Sequence, residues 1–193
     1  MTRALALAAV AVLLLGGCDA DVPGPGRSDV DVDTPALREL KAEAGVEDCV
    51  PGDGDNELPA LTLPCLGGGE SVDLSTLSGP MIINVWGSYC GPCRKEMPAL
   101  QQFHRRYGDT VPVLGIDLND TQPDAALALA RDTGATYPSL ADPDGDLQER
   151  VRVVAPPTFI WLRADGSYTQ SAGGLDSLDE VVEQATEHLG VEL

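Results

Sequence analysis

The run MIINVW at Met81–Trp86 passes straight into GSYCGPC and then into RKEMPALQQFHRRY. A short apolar run of this kind suits a strand buried on both faces. From about Cys90 to Tyr107 the pattern predicts a helix, closed by Gly108 and kinked at Pro98. Two cysteines, Cys90 and Cys93, therefore fall at a strand-to-helix junction. This constrains the fold narrowly, because the strand must lie inside a covered sheet and the helix must pack back onto it.

The rest of the chain supplies the covering layers. VPVLGIDL, residues 111–118, reads as a second buried strand, and Pro123 to Thr133 as an Ala/Leu-rich helix ending at Gly134. TFIWLRADGSYTQSAG predicts a hairpin turning at Asp165-Gly166. Asp176 to Leu189 predicts a last amphipathic helix, with Leu178, Val181, Val182, Ala185 and Leu189 at helical spacing. Upstream, ALTLPCL and ESVDL flank Gly67–Gly69 and predict another hairpin, so the globular domain is expected over 58–193. Thr34 and Pro35 offer an N-cap and a first helical residue for ALRELKAEA, which ends at Gly45. The loop EDCVPGDGDNELP follows. This order predicts an α/β fold with a central mixed sheet flanked by helices.

A Cys-x-x-Cys pair alone fits three chemistries. A structural zinc site needs four ligands, but no second such pair exists, and His104 and His188 fall on separate predicted helices as solvated positions. No metal is therefore expected. A buried staple fits the position poorly. At the first turn of a helix, unpaired N–H groups and the positive end of the dipole favour a thiolate. Gly91 and Pro92 permit the tight turn. The N-terminal cysteine can then attack a disulfide, and Cys93 resolves the mixed disulfide from within the same turn. A redox site is the reading that fits.

The N-terminus reads as a targeting segment. Arg3 gives a short positive region, and Ala4 to Leu15 form an uncharged apolar run, which is shorter than the roughly 20 residues a membrane span needs. The run ends in LGGC, which resembles the lipobox of bacterial lipoproteins. Residues 1–17 are expected as a signal peptide, with Cys18 lipidated and anchored at the extracytoplasmic face of the cell membrane. Residues 18–57 are expected as a tether and N-terminal extension, the part up to Thr34 being rich in Asp, Pro and Gly. Of five cysteines, removing Cys18 leaves an even set for an oxidising compartment. Cys49 and Cys65 are expected to form a structural disulfide clamping the extension to the hairpin, worth on the order of 3 kcal/mol. A second redox centre there stays open, although neither cysteine starts a helix. With 31 acidic residues against 12 basic ones, net charge −19, the surface would repel phosphate backbones, so no nucleic-acid partner is expected.

NVWGSYCGPCRKEMPAL, VPVLGID, YPSLADPDG and APPTFIWLRADG together resemble the TlpA/ResA-like branch of the thioredoxin superfamily, over roughly Leu58 to Leu193. The resemblance implies a thioredoxin fold with an added N-terminal β-hairpin and an insertion after the first βαβ unit, supplied by Pro123 to Leu140. It implies Cys90 as nucleophile, Cys93 as resolving cysteine and Pro156 as the cis-proline facing them, with Pro157 the alternative. Glu96, three residues after Cys93, matches an acid this branch uses near its active site. It would accept the proton from Cys93; the alternative is a first-turn carboxylate favouring the helix dipole. Asn84 stands where cytoplasmic thioredoxins carry a buried acid. Trp86, Tyr89 and Ala155 are expected to shape the substrate-docking surface, with core packing the alternative for Trp86.

The implied activity is that of a thiol–disulfide oxidoreductase without a cofactor, reducing disulfides of exported proteins such as apocytochrome c and recharged by a membrane thiol electron donor. An oxidase or isomerase on the same fold, a peroxide-reducing enzyme and a non-catalytic binding module are the alternatives. DGDNE and DPDGD lack the spacing of calcium loops and read as turns.

Overall fold

The computed structural model describes residues 27–193. The expected signal peptide, Cys18 and the first part of the tether lie outside the described residues. Two strands, β1 (Thr62–Leu63) and β2 (Val72–Asp73), form a small antiparallel hairpin. A five-stranded sheet follows: β3 (Met81–Trp86), β4 (Val113–Leu118), β5 (Ser139–Asp142), β6 (Thr158–Leu162) and β7 (Tyr168–Ala172), in the order β5-β4-β3-β6-β7. β3 is central, parallel to β4 and antiparallel to β6.

The helices are α1 (Pro35–Ala44), α2 (Gly91–Tyr107), α3 (Pro123–Thr133), α4 (Asp146–Val151) and α5 (Leu178–Leu189). Local chemistry accounts for their ends. Thr34 caps α1 by accepting from the Leu37 amide, and Gly45 closes it in the left-handed conformation. Ser177 and Glu180 make a capping box, so α5 starts at Leu178, the first residue of its apolar pattern, and not at Asp176. Pro98 lies inside α2, which continues through it to Tyr107.

Side chains alternate along the sheet into two cores. Ile82, Trp86, Phe159 and Trp161 join Cys93, Leu100 and Phe103 of α2 and Val181 of α5 on one side. Ile83, Val85, Ile116 and Ile160 join Leu63, Leu74 and Leu147 of the hairpin and α4 on the other. The sheet is thus an α/β sandwich of the thioredoxin type.

Several boundaries differ from expectation. The inserted segment is built into the sheet: α3 leads to β5, which pairs with β4 as a parallel edge strand. The stretch after DPDGD forms α4, because Asp142 accepts from the Asp146 and Leu147 amides and starts the helix. The expected tether also ends sooner than its composition implies. Val32, Leu37 and Val46 are buried in the main core, and α1 packs on α3.

Candidate active site

The site grows from the end of β3. The loop after Trp86 turns back so that the Cys90 amide donates to the Gly87 carbonyl (3.0 Å). Cys90 is the N-cap of α2, and its Sγ accepts from the Cys93 amide at 3.2 Å. Cys90 and Cys93 are joined by a disulfide. Cys90 keeps 6% of its surface while Cys93 keeps none, so an incoming sulfur meets Cys90 first.

Two residues expected at the docking surface separate. Tyr89 is 56% exposed beside Cys90, with its hydroxyl donating to the Leu118 carbonyl (2.9 Å). Trp86 is fully buried, so the docking role expected of it is corrected. Its indole packs under the loop, across β4 at Gly115, where a Cβ would stand 2.7 Å from the indole nitrogen. Ala155 is exposed next to Val154, which is 88% exposed and was not singled out by its sequence.

Pro156 is also corrected. The cis peptide bond lies between Pro156 and Pro157, making Pro157 the cis residue. The register explains it: Thr158 is the first residue of β6 and pairs with Val85, so the residue brought against the end of β3 is Pro157. Pro157 is buried and its carbonyl accepts from the Gly173 amide, while Pro156 is half-exposed.

Glu96 lies three positions beyond Cys93 on α2, hence on the same face, and is completely buried. Asn84 Nδ2 donates to its Oε1 at 2.7 Å. Its Oε2 has no partner among the described residues. Burial pushes the Glu96 carboxyl up to about 8, the Asn84 amide and the Leu175 backbone opposing the shift and Asp176 adding to it. The alternative of a first-turn carboxylate favouring the helix dipole does not describe it, since α2 starts at Gly91 and has no acidic residue in its first turn. With no cationic partner among the described residues, this buried carboxyl holds its proton more tightly than an ordinary glutamic acid.

A second acidic group braces the loop. Asp120 Oδ2 accepts from the Ser88 amide at 2.7 Å, and its Oδ1 from the Gln122 amide at 2.9 Å. Asp117, opposite Trp86 in the β3–β4 register, is buried, and that burial together with Asp120 holds its carboxyl well above the usual range. GIDLND carried no signal for this, since an acid after a strand usually reads as a turn residue.

The remaining assigned residues lie elsewhere. Cys49 and Cys65 are joined by a disulfide under the hairpin, both sulfurs buried. The histidines are not the solvated positions expected of them. His104 Nε2 lies 2.9 Å from Glu47 Oε1, and His188 stacks on Trp161 at 5.0 Å. Among the described residues no group of three or more metal-ligating side chains converges.

A model of the AhpC/TSA family matches residues 55–169. The thiol-disulfide oxidoreductase ResA of Bacillus thuringiensis is 26% identical over 123 residues, covering 63% of this chain and 68% of the relative. A thiol:disulfide interchange protein DsbE homolog of Paracoccus denitrificans is 41% identical over 91 residues, 46% of each chain. Among solved structures, a secreted thiol-disulfide isomerase from Corynebacterium glutamicum superposes with a TM-score of 0.58 at 28% identity, covering 67% of this chain and 83% of its own.

Proposed function

The chain belongs to the AhpC/TSA family and is a thiol–disulfide oxidoreductase, and from that premise we propose that it works outside the cytoplasmic membrane as a reductant of protein disulfides. The observation that carries the reading is the ordered burial of the dithiol: Cys90 at the mouth of α2, Cys93 beneath it, and a carboxyl held near 8 one turn further down.

In the reduced enzyme, the Cys90 thiolate is favoured by the start of α2 and attacks a substrate disulfide. One substrate sulfur leaves as a thiolate and takes a proton from solvent, and a mixed disulfide forms on Cys90. Glu96, as carboxylate, takes the proton of the Cys93 thiol. The Cys93 thiolate then attacks Cys90 Sγ, the second substrate sulfur leaves and takes up the proton held by Glu96, so the substrate departs as a dithiol and the enzyme is left oxidised. Tyr89, Val154 and Ala155 provide the exposed rim for the incoming chain, with Pro157, across from the end of β3, offering no competing N–H.

The Gly91-Pro92 dipeptide is that of thioredoxin, at the reducing end near about −270 mV, which supports the direction. A reductant in an oxidising compartment requires a membrane thiol electron donor. The substrate class is exported proteins with accessible cysteine pairs, such as apocytochrome c, whose thiols must be reduced before haem attachment. Anchoring through lipidated Cys18 would keep the domain near that donor.

Trapping tests the reading. Cys93→Ala stops the reaction at the mixed disulfide, so substrates should accumulate on Cys90 and be released by dithiothreitol. No trapped species would sink a catalytic role. A reduction potential for Cys90–Cys93 near about −120 mV would reverse the direction to oxidase. Loss of incorporated palmitate in Cys18→Ala tests the anchor.

A further inference from the structure

Lys41 of α1 is buried, and none of the chemistry above uses it. Its Nζ lies 2.8 Å from Asp48 Oδ1, 2.7 Å from the Gly68 carbonyl and 3.4 Å from Cys65 Sγ. The other sulfur of that disulfide has a different neighbour: Cys49 Sγ lies 3.4 Å from the Ser139 carbonyl oxygen. One sulfur thus faces an ammonium and the other a hydrogen-bond acceptor. These are the partners a thiolate and a neutral thiol would each require.

An opening lies beside the buried pair. A cavity of about 450 Å³ opens over Lys41, lined by Arg38 and Gly67–Gly69 and by Asp48, the neighbour of Cys49. At Gly69 a Cβ would stand 3.6 Å from both Cys65 Sγ and Lys41 Nζ, so the glycine keeps side-chain atoms out of the space beside a sulfur that is itself buried. Cys49 itself precedes Val50, 76% exposed, in a stretch without helix or strand.

We propose that Cys49–Cys65 is a second thiol-exchange site, in which Cys65 is the leaving sulfur, stabilised as a thiolate by Lys41, and the reductant is a low-molecular-weight thiol. The missing helix start is replaced by a fixed cation. A thiolate attacks Cys49 Sγ, forming a mixed disulfide there as the Cys49–Cys65 bond breaks and its electron pair stays on Cys65. A second thiolate attacks the small-molecule sulfur of that mixed disulfide and departs with it as the oxidised disulfide. Cys49 takes a proton from solvent and donates its S–H to the Ser139 carbonyl. Two small thiols are oxidised to one disulfide while the protein disulfide becomes one thiolate and one thiol. The site is independent of the direction of electron flow at Cys90–Cys93.

Glutathione redox buffers on the full chain, quenched by alkylation and read by peptide mass spectrometry, provide the test. Glutathione should appear on Cys49 and the alkyl label on Cys65, with circular dichroism showing the fold retained. Lys41→Met should lower the open fraction, expressed as an equilibrium constant, at least about tenfold, the low end of what an opposite charge at close range does, and Lys41→Arg should restore most of it. Glutathione found on Cys65 overturns the proposal without any substitution. So does a bond that stays closed in buffers that fully reduce Cys90–Cys93, or one that opens equally in Lys41→Met.

Discussion

Among the described residues are two disulfides that differ in almost every physical respect. Cys90 and Cys93 are three residues apart, one of them reaching the surface, and both belong to one helix start. Cys49 and Cys65 are 16 residues apart, both buried, and join an irregular loop to the N-terminal hairpin. Closing a three-residue turn constrains the unfolded chain little, whereas closing the longer loop removes more of its entropy. The first pair therefore adds little to folding and is free to cycle, while the second holds the extension in place when oxidised. The groups beside them follow the same division. The first pair stands over a buried carboxyl that holds its proton tightly, and the second stands beside an ammonium.

The largest expected effect comes from removing the nucleophile that reaches the surface. Cys90→Ser should reduce insulin-disulfide reduction to the uncatalysed background, while thermal unfolding of the oxidised protein changes little. If substantial activity survives in Cys90→Ser and vanishes in Cys49→Ser, the roles of the two pairs are exchanged and the comparison fails.

Glu96→Gln should slow resolution by about a hundredfold or more, the usual contribution of a positioned proton acceptor. Single-turnover reduction measured across pH 8 checks it: the wild type should show a limb near the Glu96 value of about 8, and the variant should not. Stability gives an independent reading. The Glu96 carboxyl is raised in the folded state from 4.5 to about 8, so over that window the native protein holds a proton the unfolded chain has lost. Its contribution is fully present below 4.5 and is lost as pH rises through about 8, with a slope of at most roughly 1.4 kcal/mol per pH unit. Urea unfolding across this window should show the decline in the wild type and a flatter profile in Glu96→Gln. A rising profile in the wild type would mean Glu96 is ionised when folded.

Much of this was legible in residue types and spacing. The β3–α2 junction was, because a strand buried on both faces, a Cys-x-x-Cys and a helix leave little freedom, and the periodicity of α3 and α5 was equally plain. Long-range pairing was less visible. Four-residue β5 has no alternation to mark it, and α4 begins only because the Asp142 carboxylate reaches forward to two amides. Adjacent prolines cannot be ordered from composition; the register of Val85 against Thr158 selects Pro157. Trp86 shows the opposite failing. An aromatic residue near a Cys-x-x-Cys suggests a docking surface by type, yet this one lies wholly under the active-site loop.

The buried pair should matter for stability more than for turnover. Cys49→Ser with Cys65→Ser should cost about 3 kcal/mol in urea unfolding, with insulin reduction by Cys90 retained. A cost near zero would mean α1 and the hairpin hold the extension unaided. Loss of activity with the fold intact would mean the two pairs exchange electrons.

The smallest effect tests how finely the proton site under Cys90–Cys93 is set. Asn84 Nδ2 donates to Glu96 Oε1 at 2.7 Å and is the largest of the influences opposing the burial that raises that carboxyl. Asn84→Ala removes the donor and leaves Glu96 buried, so ionisation becomes harder still and the pH limb should move upward. The expected displacement is about one unit or less, because a single neutral donor contributes roughly 1 kcal/mol. Carbon-13 NMR of the Glu96 carboxyl in the reduced enzyme reads the shift directly, and the limb of the single-turnover profile should move with it. Asn84→Asp should move it further, by placing a second carboxyl against the first. If neither substitution moves the limb, the titrating group that resolves the mixed disulfide is not Glu96, and the contrast between a proton site at one pair and a fixed cation at the other loses its first half.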